Sequence, residues 1–478
     1  MLTLRPYQDK LVADVRNAIG SHRSVLMQSP TGSGKTAMLV MIMERAAQKG
    51  KRAFFIVHQT ELLQQTSAAL WLQKLEHGMI APGKRHSKLP VQVASVQTLV
   101  RRLDQYPEPD LIIIDEAHRA AANTYRKVLD AYPNAIVIGL TATPERTDGK
   151  GLSDLFETII EGPSIQQLIR AGYLSEYELI SPPTQVDITG VHTRGGDYDN
   201  RELETVIDKP TITGDAVAAY KQFANGLRCV VMCVSIKHAE HVAESYRASG
   251  VAAEVIKGEM LKTDRGGVLD RFKSGETLVL CNVELMVVGV DIPAIGAIQW
   301  LRPTQSLIVF MQGNGRGLRP HEGKDKLIIL DQVKNWERHG LPCDDRDWSL
   351  QGRKERKRKA KDDEPDLHVQ QCGECFAVFR KGPDRCPKCG HELPVKGRAE
   401  LEVVEGDLVK VDIDQLRKER KREQGKSRTL RDLVQLGINR GMNRPAQWAA
   451  ITLSARQGRK PRPDEFVEAK RIMMELQA

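Results

Sequence analysis

Three short stretches carry residue types that could act together on a phosphate chain. In Ser29-Pro30-Thr31-Gly32-Ser33-Gly34-Lys35-Thr36, small residues lead into Lys-Thr and then into an apolar run. Gly32, Ser33 and Gly34 let backbone N–H groups turn toward phosphates at a helix N-terminus. Lys35 is expected to reach the β- and γ-phosphates of ATP, and the Thr36 hydroxyl to hold Mg²⁺. Ser29 stands where the full phosphate-loop pattern has glycine. Further on, an isoleucine run ends in Asp115-Glu116-Ala117-His118. Asp115 is expected to hold Mg²⁺ through its coordination shell. Glu116 is expected to polarise the attacking water, because phosphoryl transfer demands a positioned nucleophile more than covalent chemistry. The third stretch, Phe310 to Pro320, offers Gln312, Arg316 and Arg319, the two arginines three apart on one helical face. They supply positive charge for the transition state, and cleft closure would bring them to the phosphates.

A different chemistry sits near the C-terminus. Of the 8 cysteines, Cys372, Cys375, Cys386 and Cys389 form two CxxC pairs separated by ten residues. Four thiolates at this spacing suit tetrahedral Zn²⁺ in a structural ribbon, with Gly373 and Gly390 at the knuckle turns. Thioredoxin-type redox is the alternative, but one CxxC would serve it and no βαβ unit surrounds these residues. The remaining cysteines are scattered, three of them in apolar segments where Cys packs as a small hydrophobe. His238 and His241, in His-Ala-Glu-His, have a ligand-like spacing but read as the exposed face of a helix. Pro463 to Lys470 resembles a nuclease signature with the wrong spacing and reads as one helix starting after Pro463.

Chemistry of this kind needs strand ends to hold it. Residues 52–58, 110–118 and 135–144 read as buried parallel strands ending in polar residues, and a second series runs through 228–235, 277–283, 297–303 and 326–333. Strands alternating with helices imply an α/β protein with two tandem RecA-like, doubly wound domains and ligands at the carboxyl ends of the strands. The expected division is 1–165, a connecting segment 166–205, 206–345, a charged linker 346–368, a zinc ribbon 369–395, a second linker 396–428 and a helical region 429–478. Residues 181–200 read as a linker or surface excursion.

The motifs stand in the order of a superfamily 2 helicase of the DEAH-box type, which the first 345 residues resemble. They are Arg5-Pro6-Tyr7-Gln8, Ser29 to Thr36, Val57 to Thr66, Ser95 to Leu99, Asp115 to His118, Thr141 to Pro144, Val288 to Pro293 and Gln312 to Arg319. The resemblance implies that Gln8 reads the adenine edge with Arg5 stacked beside it. It implies that His118, Thr141 and Thr143 couple the nucleotide site to the strand-gripping surface, and that Gly289 and Asp291 sense nucleotide from the second domain. Thr60, Thr98 and Thr304 become expected phosphodiester contacts. The segments "ATPERTDGKGL", "LIRAGYL", "LRPTQSL" and "GLRPHEGK" are similar to the RadD-like branch of bacterial and phage DNA helicases. That branch implies DNA over RNA and a single-strand-binding protein as a partner. At Val288 the sequence departs from the branch, which usually has Glu at that position.

Composition fits a motor with an attachment module. The net charge of +9 is uneven: residues 1–345 carry 40 Lys+Arg against 40 Asp+Glu, and the rest carry 31 against 22. A basic tail on a balanced front suits a polyanion. No apolar run approaches the roughly 20 residues of a membrane span, and the first residues lack a signal-peptide core, so a soluble cytoplasmic protein is expected. Two rivals share most of these features. One is a translocase that never separates strands, and the other is an ATP-switched binding adaptor.

Overall fold

The computed structural model describes residues 2–58, 60–120, 123–146, 149–183, 186–257, 260, 262–283, 294–352, 369–393, 427, 429–439, 444–457 and 461–477. Two compact units divide the chain, Met1–Val395 and Lys396–Ala478.

The first unit is built on two sheets. The N-terminal sheet contains β1 (Ser24–Gln28), β2 (Ala53–Val57), β3 (Gly78–Ile80), β4 (Val91–Ser95), β5 (Leu111–Ile114), β6 (Ile136–Thr141) and β7 (Thr158–Glu161) in the order β3-β4-β2-β5-β6-β1-β7. Every pairing in it is parallel. Strands buried on both faces carry no polar alternation, and β2 and β5 are buried at every position. Helices Pro6–Ile19 and Lys35–Gln48 cover one face through Leu11, Val15, Leu39 and Met43, which share a core with β1 and β2.

The second sheet takes β8 (Glu176–Ile180), β11 (Cys229–Cys233), β12 (Ala253–Ile256), β13 (Val279–Val283), β14 (Ala297–Trp300) and β15 (Lys326–Asp331) in parallel, with a small hairpin, β9 (Thr193–Arg194) and β10 (Asp197–Tyr198), standing apart. These are the two tandem RecA-like domains.

Four expectations change. The segment 166–205 is no mere connector, because β8 within it pairs with β15 and belongs to the second sheet. Part of 181–200 folds as the β9–β10 hairpin, fastened by Asp197, whose carboxylate accepts from Thr304 Oγ1 at 2.8 Å and from Gln305 N at 2.7 Å. The cysteine module is not a separate bead either. Its strands β16 (Val369–Gln371) and β17 (Ala377–Arg380) form a hairpin, and β17 pairs antiparallel with β8, so the sheet runs on as β15-β8-β17-β16.

The chain after β15 also returns to the first domain. Leu350 O accepts from Leu152 N at 2.8 Å and Ser153 N at 3.0 Å, and its side chain is buried in the first domain's core. Trp348, two residues earlier, packs on the core of the second. Residues 346–352 therefore form a strap rather than a linker; 353–368 lie outside the described residues.

The second unit is three helices, Leu430–Asn439, Pro445–Arg456 and Pro463–Gln477, around Leu433, Val434, Ala449, Ala450 and Ala469. The pattern in 463–477 folds as one helix from Pro463, in agreement with its sequence.

Candidate active site and cysteine cluster

The register of the first sheet assembles the site. Gln28 at the end of β1 pairs with Thr141 at the end of β6, while Ile114 of β5 pairs with Gly139. The turns that leave these strands therefore open on one edge. Residues 29–34 pass from β1 into helix Lys35–Gln48, with Gly34 in the left-handed region at φ 80° and Gly32 at φ 87°. A Cβ on Gly34 would collide with the Gln8 amide, so glycine is required there on two counts. Ser29 needs no such freedom. Among described residues the non-glycine positions with positive φ are Lys74, Glu116, Lys334 and Phe376, so Ser29 has ordinary backbone geometry. Its hydroxyl lies 2.7 Å from that of Ser33, and its N–H donates to Thr141 O at 2.9 Å. The missing glycine is thus replaced by a side chain that braces the loop.

Lys35 Nζ donates to the carbonyls of Ser29 at 3.2 Å and Pro30 at 3.3 Å, weak contacts that a phosphate oxygen would replace. Burial lowers its pKa, and the carboxylates of Glu116 and Asp115 oppose that shift. Thr36, one residue on, is exposed. Asp115 is raised to about 7, first by burial and then by the adjacent Glu116 charge. The Asp115 carboxylate and the Thr36 hydroxyl are hard oxygen donors of the kind a divalent cation such as Mg²⁺ takes, while the Lys35 ammonium suits phosphate oxygens rather than the metal.

Glu116 sits at φ 48°, ψ 52°, a strained position for a residue with a Cβ, and its N–H donates to Asp115 Oδ1 at 2.9 Å. The turn aims its carboxylate at the second domain, where Gln312 Nε2 donates to Glu116 Oε2 at 3.2 Å. His118 Nδ1 lies 3.4 Å from the same oxygen and 3.3 Å from Thr141 Oγ1. Thr141 Oγ1 in turn donates to Thr143 O at 2.9 Å. Glu116, His118, Thr141 and Thr143 thus form one continuous path from the acidic pair to the end of β6.

Gln312 and Arg316 lie in helix Leu307–Gly317, and Arg319 just beyond it. Both arginines depress the Lys35 pKa, and Arg319 Cγ is 3.5 Å from where a Cβ on Gly32 would stand. Gly315 permits the approach, since a Cβ there would run into Thr31 of the phosphate loop. The helix and the loop are therefore in direct contact across the domain boundary.

Gln8 is committed within the protein. Its Nε2 donates to Ser33 O at 2.8 Å and its Oε1 accepts from Arg5 N at 2.9 Å. Arg5 stacks on Tyr173, 4.8 Å from the ring centroid. Tyr7, to which no motif assigns a role, donates to Ser33 O at 2.6 Å.

The strand-contact expectations fare differently. Thr304 is buried, its hydroxyl donating to Asp197 and its carbonyl accepting from His339 Nε2 at 2.9 Å, so here it is a structural residue and not a surface contact. Thr98 is also buried, within the short helix Val96–Leu99. Thr60 begins a helix, but its side chain lies outside the described residues, as do Val288, Gly289 and Asp291. His238 is buried, not on an exposed face: its Nδ1 accepts from Val234 N at 3.3 Å.

The four cysteine sulfurs lie within 4.8 Å of one another, with Cys372 to Cys389 at 3.7 Å and Cys375 to Cys386 at 3.6 Å. A tetrahedral ion with Zn–S bonds of about 2.3 Å puts sulfurs roughly 3.8 Å apart, so the cluster fits such an ion. Each knuckle closes alike, Phe376 N donating to Cys372 O at 3.1 Å and Gly390 N to Cys386 O at 2.9 Å. The left-handed residue of each knuckle is the one after its second cysteine, Phe376 at φ 56° and Gly390 at φ 73°. Gly373 has no such role.

The phosphate loop and acids lie on one RecA-like sheet and the arginines on the next, so the site is completed where the two domains meet. That is the construction of nucleoside-triphosphate-driven motors. Residues 1–146 match the family "Type III restriction enzyme, res subunit", and residues 212–321 match "Helicase conserved C-terminal domain". A 51.5 kDa protein of a Lactococcus phage is 32% identical over 395 residues, covering 81% of this chain and 84% of that protein. The putative ATP-dependent helicase IRC3 of Saccharomyces cerevisiae is 30% identical over 355 residues, 69% of this chain, which spans only 51% of the yeast protein. In fold, a putative HsdR subunit of a type I restriction enzyme from Vibrio vulnificus superposes with TM-score 0.57 at 23% identity, over 71% of this chain and 66% of that one. The chain belongs to the superfamily 2 helicases, a family of ATPases.

Proposed function

We propose that this chain is an ATP-dependent helicase or translocase that acts on nucleic acid, DNA in preference to RNA, in repair, recombination or replication. The observation that carries the reading is the 3.2 Å contact of Gln312 with Glu116, because it joins the second domain to the residue that would orient the attacking water. In this reading Gly32, Ser33, Gly34, Lys35 and Thr36 cradle the phosphates of ATP, with Thr36 and Asp115 as ligands of Mg²⁺. The bound ion neutralises phosphate charge. Arg316 and Arg319 stabilise charge that develops during transfer, and reopening of the cleft passes through His118, Thr141 and Thr143 to the strand-gripping surface. Gly289 and Asp291 sense nucleotide from the second domain. Cys372, Cys375, Cys386 and Cys389 hold a structural Zn²⁺. The preference for DNA, and a single-strand-binding protein as partner, rest on the RadD-like residues, and the basic tail suits a polyanion. No described helix is long and apolar enough to cross a membrane.

The test is strand displacement on DNA and RNA forks of both overhang polarities, beside stimulated ATPase. The reading expects ATP-dependent opening of DNA forks, loss of turnover in Lys35→Ala, and loss of turnover with ATP retained in Glu116→Gln. Stimulated hydrolysis without displacement would leave a translocase. Nucleotide-gated binding without a need for turnover would leave an adaptor.

A further inference from the structure

Tyr173, Leu174 and Ser175 each touch a different part of the nucleotide site. Tyr173 meets the N-terminal arm: its ring lies 5.0 Å from that of Tyr7 and carries the Arg5 guanidinium at 4.8 Å. Leu174, buried in the second domain's core, reaches to 3.0 Å from the Cβ position of Gly32 in the phosphate loop. Ser175 holds the arginine segment, its N–H donating to Leu318 O at 2.8 Å and its Oγ to Arg319 O at 3.3 Å.

The element that presents them is built to be stiff. Helix Ile165–Arg170 starts with a capping box in which Ser164 and Gln167 satisfy each other's backbone. It ends on Gly172 at φ 71°, and Tyr173 N returns to Leu168 O at 2.8 Å. A left-handed glycine with this return bond stops the helix sharply and fixes the direction in which the chain leaves it. Lys324 Nζ also donates to the Arg319 carbonyl, at 3.0 Å, so that oxygen is held by two donors.

We propose that Tyr173-Leu174-Ser175 is a positioning element of the ATP site. Tyr173 anchors it on Arg5 and Tyr7, Leu174 seats it on the phosphate loop, and Ser175 sets the Arg319 backbone, so the guanidinium reaches the phosphates only when the base-side arm is in place. Tyr173 is then a positioning residue, acting through Arg319. The inference rests on the ATPase reading of Lys35, Glu116 and Arg319.

The experiment is a double-mutant cycle on the full chain, with single-turnover hydrolysis and binding of a fluorescent ATP analogue as readouts. Tyr173→Ala is expected to lower the hydrolysis rate on the order of 10²-fold, the scale of an ångström-sized displacement of a catalytic group. Its nucleotide affinity should change less than about threefold, and Tyr173→Phe should keep the rate because the contacts are made by the ring. In an Arg319→Ala background the Tyr173→Ala change should cost nothing further, since the group it positions is gone. Multiplying rate losses, or a rise in KM at unchanged kcat, would overturn the positioning role. Full hydrolysis in Lys35→Ala would instead remove the ATPase reading beneath it. Loss of turnover in Lys35→Ala and Arg319→Ala beside a normal Tyr173→Ala removes this inference alone. Thermal melting of each variant separates misfolding from misplacement.

Discussion

At the scale of single residues, the join between the domains depends on an absent side chain. Gly315 faces Thr31 with no room for a Cβ. Gly315→Ala should hold the arginine helix off the phosphate loop and slow turnover while leaving ATP binding, which the first domain dominates. Adding Thr31→Gly should restore part of the rate by vacating the same space. If Gly315→Ala turns over normally, this contact is not needed for closure. His238 offers a separate test by pH. Burial depresses its pKa to about 4 from an ordinary 6.5, with Asp208 pulling the other way and His241 adding to the depression. The neutral ring accepts from Val234 N, and a proton on Nδ1 would abolish that bond. The folded state resists protonation, so this stability is complete above pH 6.5 and is lost as pH falls toward 4. The span corresponds to something on the order of 3 kcal/mol. Denaturant titrations from pH 7 to 4 should show that slope, and His238→Asn should flatten it. An unchanged slope in the variant would assign the acid sensitivity to other groups.

At the scale of elements, the long aliphatic strands are legible in the sequence, while β3, β4, β7, β8, β12 and the long-range pairings are not. Residues 52–58, 110–118, 228–235 and 326–333 announce themselves as buried parallel strands because continuous aliphatic runs have few other uses. The phosphate loop, the acidic pair and the arginine helix are equally plain, since their chemistry dictates residue type at fixed spacing. The helix Pro445–Arg456 lies within the expected helical region 429–478, but its alanines leave a weak periodicity that does not mark its bounds. The docking of the cysteine hairpin is invisible for a different reason. Its register, Ala377 with Ile180 and Val378 with Leu179, is a pairing between segments almost 200 residues apart, and no local pattern encodes it. That docking sharpens the expectation for metal removal. The hairpin has a small core of Cys372, Ala377 and Cys386 with few neighbours. Four unligated thiols cannot hold it, so chelation should release one ion per chain and unfold it. Its contacts with the motor would go too: Ser181 N to Phe376 O at 2.9 Å, Lys388 to Glu178 at 3.0 Å and Arg380 to Asp344 at 3.3 Å. Basal ATPase should survive, because none of these groups belongs to the nucleotide site. Loss of ATPase in step with the released metal would show instead that the hairpin supports the motor.

At the scale of the whole molecule, the return of Leu350 to the first domain changes where the motor can be cut. A chain ending at Asp345 would lose a buried leucine and its two backbone bonds, and the cavity alone costs on the order of 3 kcal/mol. The division that respects the contacts is the one between Val395 and Lys396. Residues 396–478 carry 19 Lys+Arg against 13 Asp+Glu, a net +6 of the chain's +9. If this region attaches the motor to a polyanion, removing it should leave basal ATP hydrolysis near that of the full chain. Affinity for single-stranded DNA should fall, and log affinity should depend less steeply on log salt, because each phosphate contact adds about 0.7 to that slope on a single strand. The measurement is binding across a salt series for the full chain and for residues 1–395, with melting curves to verify the fold of the shorter chain. A slope smaller by several units would make the tail a direct phosphate-binding module. Equal affinities and equal slopes would mean that its positive charge only faces solvent, and the three helices around Leu433 and Ala449 would then be read as a surface for another protein.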